Sequence, residues 1–246
     1  MPSIDFNCDL GEGCGDDAAI VPWISSASIA CGGHAGDEQS MRATLRLCRA
    51  RSVAVGAHPS YPDREGFGRR AQDLSPAQIA ATVREQILAL RAIAEQEAWP
   101  LRHVKPHGAL YNRAARDADC ARAIADCVAA IDPTLTLYGL SGSALTDAGS
   151  AAGLRVAHEV FAERGYAADG QLLPRGTPGA ELDDLPSALA QARALAQHGR
   201  LTLADGQILQ RRADTLCLHG DRADAAAFAR ALREGLEVVG VGVHAL

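Results

Sequence analysis

The sequence predicts an α/β fold, a parallel β/α barrel of seven or eight strands, in a single domain spanning residues 1–246. Three observations carry this reading. Short buried apolar runs alternate with amphipathic helical stretches, which calls for a parallel sheet covered on both faces. A chain of 246 residues is long for one open domain and ordinary for a closed barrel. Polar residues collect where the apolar runs end, as they do when the loops of a barrel gather at one mouth.

Ile4 to Cys8 alternates as a strand and runs into Asp9-Leu10-Gly11-Glu12-Gly13-Cys14-Gly15, whose glycines permit close backbone approach to a ligand. The G-x-G-x-x-G spacing of a dinucleotide site is absent. A second strand, Ser28 to Cys31, leads through His34 to Asp37, the N-cap of a helix reaching about Arg51 with Met41, Leu45 and Cys48 on one stripe. Ser52 to Ala57 is the third strand. It ends at His58-Pro59-Ser60-Tyr61-Pro62-Asp63, before a loop rich in Gly and Arg that holds Arg69 and Arg70. Ser75-Pro76-Ala77-Gln78 is a capping box with proline at the first helical position, and its helix stops before Pro100.

Strand four is the segment His103-Val104-Lys105, which leaves through Pro106-His107-Gly108-Ala109-Leu110-Tyr111-Asn112. Asp117 caps a helix to about Ala130, Thr134 to Tyr138 is strand five, and residues 141–152 form a small-residue helix closed by Gly153. Arg155 to Val160 is strand six. The long loop 161–183 follows, with Tyr166, Asp169 and Arg175, and then a helix from Asp184 to about Gln197. Leu201 to Gln210 reads as a hairpin around Asp205-Gly206. Asp214 to Leu218 is a further core strand ending at His219-Gly220-Asp221, with Asp221 capping the last helix, 222–234, before a short strand at Glu237 to Val243.

With 48% hydrophobic residues and few aromatics, the core is expected to be Ala, Leu, Val and Ile. The net charge of −6 and the lack of a basic stripe argue against nucleic acid as a partner. No apolar run is long enough for a bilayer, and no signal-peptide pattern opens the chain. Seven cysteines without C-x-x-C spacing fit reduced thiols, hence a cytoplasmic location. Cys120 and Cys127 share one helix face and read as core. Cys8, Cys14 and Cys31 flank the candidate site, but a thiol nucleophile or zinc thiolate is the less favoured reading.

Lys105 is the only lysine; the other 23 basic residues are arginine. A chain so biased keeps a lysine where a compact primary amine is needed, since arginine offers a planar fork instead. Asparagine occurs only at Asn7 and Asn112, both in candidate site segments. Asn7, Asp9, His34, His58, Lys105, His107, Glu159, His219 and Asp221 all come from strand ends and should converge. Glu12, Arg69, Arg70, Asn112 and Arg175 lie in the loops beyond them. A single strand-end histidine is usually a hydrogen-bonded structural group, but four such ends weaken that reading for the set. His103, His198 and His244 lack the placement and receive no role.

N-C-D-L-G-E-G at 7–13, I-A-C-G-G-H-A-G-D at 29–37, G-A-H-P-S-Y-P-D at 56–63, G-F-G-R-R at 66–70, V-K-P-H-G-A-L-Y-N at 104–112 and H-G-D at 219–221 resemble the LamB/YcsF family, the A component of bacterial 5-oxoprolinase. The resemblance runs from residue 4 to about 235. It implies a distorted β/α barrel related to carbohydrate deacetylases, and ATP-dependent opening of 5-oxo-L-proline to L-glutamate together with 5-oxoprolinase subunits B and C. Ser28, Gly33 and Glu163 stand where that family usually has Asn, Phe and Asp.

Opening a lactam asks for its carbonyl oxygen to be activated, and phosphorylation by ATP would do this. Such a step needs cations around the phosphoryl group and a metal held by oxygen. On this reading Lys105 contacts a phosphoryl or oxyanion, and Asp9 and Glu12 hold Mg²⁺. Arg69 or Arg70 clamps the substrate carboxylate, and His107 or His58 is the general base. No G-x-x-x-x-G-K-[ST] motif is present, so ATP would bind this chain unconventionally if at all. Two rival readings remain. One is an ATP-independent amidase or deacetylase carrying Zn²⁺ on Asp9 with His34, His58 or His219, against which stands the lack of H-x₃₋₅-H spacing. The other is a non-enzymatic protein that binds a ligand or regulates a partner.

Overall fold

The computed structural model describes residues 2–222 and 224–246. In chain order the elements are β1 (Ser3–Leu10), α1 (Asp17–Ile20), a 3-10 turn (Val21–Trp23), β2 (Ser26–Ala30), α2 (Glu38–Ala50), β3 (Ala54–His58), α3 (Pro76–Gln96) and β4 (Leu101–Val104). Then come α4 (Gly108–Ala114), α5 (Ala118–Ile131), β5 (Thr136–Leu140), α6 (Ala144–Ala151), β6 (Arg155–Phe161) and α7 (Leu185–His198). The chain ends with β7 (Arg200–Thr202), β8 (Ile208–Gln210), β9 (Thr215–His219), α8 (Ala225–Val238) and β10 (Gly242–Val243).

Among the described residues seven parallel strands close on themselves in the order β1-β2-β3-β4-β5-β6-β9, with β9 pairing back to β1. The closure is uneven, which makes the barrel a distorted one. β4 and β5 share only the pairs His103↔Thr136 and Val104↔Leu137, whereas β1 and β9 share five from Asp5↔Thr215 to Asp9↔His219. β10 lies outside the ring beside the start of β1, and β7 and β8 form a separate antiparallel hairpin.

The caps read from sequence hold helices in place. Asp37 accepts from the Ser40 amide, Ser75 and Gln78 bond reciprocally, and Asp117 accepts from the amides of Asp119 and Cys120. The last stretch differs from expectation. Helix α8 runs through Val238 because Leu232 and Leu236 continue its buried stripe, and only Gly242–Val243 is strand. Asp221 does not cap that helix; Asp224 occupies the N-cap position, and Asp221 pairs with Arg69 instead.

Two cores of opposite chemistry result. Between barrel and helices lies the expected apolar layer, with Phe6, Cys8 and Leu10 of β1, Leu45 of α2, and Ile87 and Leu90 of α3. Inside the barrel the side chains are polar. Asp5 accepts hydrogen bonds from Ser26 (2.7 Å), Thr215 (2.6 Å) and, across the ring, Tyr138 (3.0 Å). The alternation Asp5-Phe6-Asn7-Cys8-Asp9 therefore divides β1 between a polar lumen and an apolar exterior. His103 fills the middle of the lumen, stacked on Tyr138 at 4.2 Å and 3.2 Å from the Ser28 hydroxyl. Gly56 makes room for it, because a Cβ there would run into the His103 ring.

Candidate functional site

The polar lumen opens at the C-terminal ends of the strands into a pocket of about 380 Å³. Asp9, His58, Lys105, His107 and His219 contribute to its floor, Tyr111 and Phe161 to its wall, and Arg69, Arg116, Arg164 and Arg175 to its lining. Each floor residue arrives from the end of a strand or the turn just after it. Lys105 continues β4, its amide donating to the Ala57 carbonyl at 2.9 Å, and the His107 amide donates likewise to Pro59 at 2.8 Å.

Lys105 is 2% exposed, and its ammonium lies 2.8 Å from Asp9 Oδ1, 2.9 Å from Glu159 Oε1, 2.9 Å from Asn7 Oδ1 and 3.1 Å from Cys217 Sγ. Burial pulls its pKa down, but Asp9, Cys217 and Glu159 together outweigh burial and hold it well above the ordinary lysine value. Asp9 is the counterpart. Burial pushes its carboxyl up, and His58 and Lys105 bring it well below the usual range. The pair is ionised. An ammonium has three hydrogens, and four neighbours already claim them. Lys105 thus has no donor left for a phosphoryl or lactam oxygen, contrary to the contact expected from sequence. Asn7 and Glu159 belong to the same cage: Asn7 donates to Glu159 at 2.9 Å and to Thr215 at 2.7 Å.

The histidines divide into two groups. His58 Nδ1 donates to the Lys105 carbonyl (2.7 Å), and His107 Nε2 donates to the Phe67 carbonyl (2.9 Å), while His58 Nε2 and His107 Nδ1 face each other at 2.9 Å. His34 stacks on His107 at 3.7 Å and sits 3.0 Å from Glu12 Oε1. Burial lowers the pKa of both His34 and His107. The remaining nitrogens of His58 and His107 face each other rather than a substrate, so the general-base role expected of them does not fit.

His219 does fit. Its Nδ1 donates to Glu163 Oε1 at 2.6 Å, its amide donates to the same oxygen at 2.9 Å, and Arg222 holds Glu163 Oε2 at 3.1 Å. Burial pushes Glu163 up, but the contacts to His219 and Arg222 prevail and bring it down to about 2. The carboxylate fixes the tautomer and leaves His219 Nε2 as the basic nitrogen on the pocket side.

A profile of the LamB/YcsF family matches residues 4–246. The protein of Chloroflexus aggregans named as the A component of 5-oxoprolinase is 54% identical over 249 residues, 99% of each chain. The chain belongs to the LamB/YcsF family. The crystal structure of a lactam utilization protein from Thermus thermophilus superposes with a TM-score of 0.93 at 46% identity, covering 99% of this chain and 100% of that one. A deacetylase solved with substrate shares the barrel alone, with a TM-score of 0.50 at 12% identity over 99% of this chain and 87% of that one.

Of the positions where this LamB/YcsF chain departs from the family pattern, Ser28 lies inside the barrel against His103, away from the pocket. Gly33 leaves space that Gln86 takes, its side chain bonded to the Ser60 amide (3.0 Å) and carbonyl (2.8 Å). Glu163 is the residue that orients His219. Among the expected rim groups Arg69 lines the pocket and pairs with Asp221 at 2.6 Å, Asn112 lines it, and Arg175 lines it while paired with Glu181. Arg70 does not reach it, turning outward to Asp63 and Glu65 at 3.7 and 3.8 Å. Sequence reasoning missed Arg116, Arg164, Tyr111 and Phe161. Tyr111 was visible within V-K-P-H-G-A-L-Y-N, but the arginines sit in stretches with no strand-end signal.

Two groups of side chains bring metal-ligating atoms within 4.8 Å of one another: Glu12, His34, His58 and His107, and separately Asp9, Cys217 and His219. Three imidazoles in the first group make it unlike the oxygen shell that Mg²⁺ takes. Asp9 and Glu12, the pair expected to hold Mg²⁺, turn their oxygens to Lys105, His58 and His34.

Proposed function

We propose that this chain is the A component of a 5-oxoprolinase, which opens 5-oxo-L-proline to L-glutamate with hydrolysis of ATP to ADP and phosphate and works with subunits B and C. The observation that carries the reading is the full-length match, at 54% identity, to a protein named as that component. The pocket supplies suitable chemistry. Arginines at its rim suit the substrate carboxylate and a phosphoryl group, being planar donors of fixed charge. Arg116 is the most available of them, with no carboxylate partner among the described residues.

In the proposed reaction the lactam carbonyl oxygen takes the γ-phosphoryl group of ATP, which makes the ring carbon electrophilic. His219, held by Glu163, removes a proton from the attacking water, the C–N bond breaks with the nitrogen taking up a proton, and a second water hydrolyses the resulting γ-glutamyl phosphate to L-glutamate and phosphate. Lys105 keeps Asp9 ionised and, with Glu159, holds it fixed beneath the reacting atoms. Mg²⁺ accompanies the nucleotide, and the missing phosphate-loop motif argues that one of the partner subunits carries both.

The test is glutamate release from 5-oxo-L-proline with ATP, measured for this chain alone and with subunits B and C. Glutamate is expected only from the assembled enzyme with ATP present. Release by the assembled enzyme without ATP would favour the second reading, a metal-assisted amidase, for which the histidine group at Glu12 is the motive.

A further inference from the structure

We propose that Glu12, His58 and His107, with His34 stacked on His107 and bonded to Glu12, form a binding site for one divalent transition-metal ion of the zinc class. The tautomers carry the argument. A carbonyl oxygen only accepts, so His58 must carry its hydrogen on Nδ1, facing the Lys105 carbonyl at 2.7 Å. By the same logic His107 carries its hydrogen on Nε2, facing the Phe67 carbonyl at 2.9 Å. The remaining nitrogens, His58 Nε2 and His107 Nδ1, then point lone pair to lone pair across 2.9 Å. Around them stand more acceptors: Glu12 Oε1 at 3.5 Å from His107 Nδ1 and 3.9 Å from His58 Nε2, and Asp9 Oδ2 at 3.3 Å from His58 Nε2. So many lone pairs converging in a buried spot call for a proton or a metal ion among them.

Spacing and support point to a metal as that cation. A tetrahedral shell with bonds of about 2.1 Å has ligand–ligand edges of about 3.4 Å. The edges here are 2.9, 3.5 and 3.9 Å, for His58–His107, His107–Glu12 and His58–Glu12. Metal-ligating histidines characteristically donate their other N–H to a carbonyl or carboxylate, which locks tautomer and ring orientation, as the Lys105 and Phe67 carbonyls do here. Gly68 lets the Phe67 loop close over the stacked rings: at φ +66° its absent Cβ would lie 2.9 Å from His34 Cβ and 3.0 Å from His107 Cδ2. Imidazole-rich donors with one carboxylate select zinc-like ions over Mg²⁺. An ion here would polarise a carbonyl oxygen brought to the pocket floor beside His58 and His107.

This inference does not depend on which amide is the substrate, and its test reads metal rather than turnover. The full chain, purified and stripped of metal, is titrated with Co²⁺ and then Zn²⁺. One equivalent per chain is expected, with visible cobalt bands of nitrogen–oxygen coordination, no thiolate charge-transfer band, and displacement by Zn²⁺. His58→Gln should weaken binding by more than the roughly 10–100-fold that outer partners contribute. Glu12→Gln, on a partly exposed loop where folding is least at risk, should weaken it in the same direction. Cys217→Ala should leave the affinity unchanged. Absence of stoichiometric binding by the parent chain overturns the proposal, because a shared proton between His58 and His107 then satisfies the lone pairs. A thiolate band, or loss of binding in Cys217→Ala, overturns it by moving the ion to the Asp9, Cys217 and His219 group.

Discussion

At the scale of single residues, Lys105 organises the site from within. The composition singled it out, one lysine among 23 arginines, and the structure gives the reason. A compact ammonium fits the buried gap between Asp9, Glu159, Asn7 and Cys217, where a planar guanidinium would not. Lys105→Met leaves two buried carboxylates without their cation. It is expected to lower stability by roughly 3–5 kcal/mol and to stop turnover, as read by denaturant unfolding and by the assay of the assembled enzyme. Unchanged stability would mean that the cage is not ionised. Glu163 supplies a pH signature. Its folded pKa of about 2 lies below the ordinary glutamate value of about 4.3, so its stabilisation is complete above about pH 4.3 and fades as pH falls toward 2. The difference corresponds to roughly 3 kcal/mol. Glu163→Gln should remove that part of the acid-side loss of stability, and a parent-like dependence on pH in the variant would contradict the assignment.

At the scale of elements, strands and caps were legible because their signals are local: apolar runs for β2, β3 and β9, and Asp37, Ser75 and Asp117 ahead of their helices. The end of the chain was misread because Val238, Val239 and Val241 look like strand residues, while the buried spacing of Leu232 and Leu236 decides for helix. The polar lumen was harder to read. A polar face alternating with an apolar one normally means solvent, and only barrel closure turns Asp5, Asn7 and Asp9 inward. Gly56 tests this packing. Gly56→Ala should cost about 1–3 kcal/mol by overpacking against His103, and much less in a His103→Ala background. Equal costs in both backgrounds would show that the ring is not what requires glycine.

At the scale of the whole molecule, the barrel brings together groups that share no local motif. That is why paired ligand spacing gives no sign of the histidine cluster: its members come from positions 12, 34, 58 and 107, one from each of four successive strand ends. The same closure brings His219 of β9 to the pocket and Glu163, from the loop after β6, against its ring, the pair proposed above as the base. His219 was legible as a polar strand end; the identity of the base was not, because it turns on which ring nitrogen is left unbonded. The central claim is that lactam opening happens in this pocket with His219 as the base. Its most direct test is the rate of glutamate release by the assembled enzyme containing His219→Gln, with ATP and 5-oxo-L-proline saturating. The rate is expected to fall by about 10²–10⁴-fold while the melting temperature stays near that of the parent. A variant that turns over within a few-fold of the parent would contradict it.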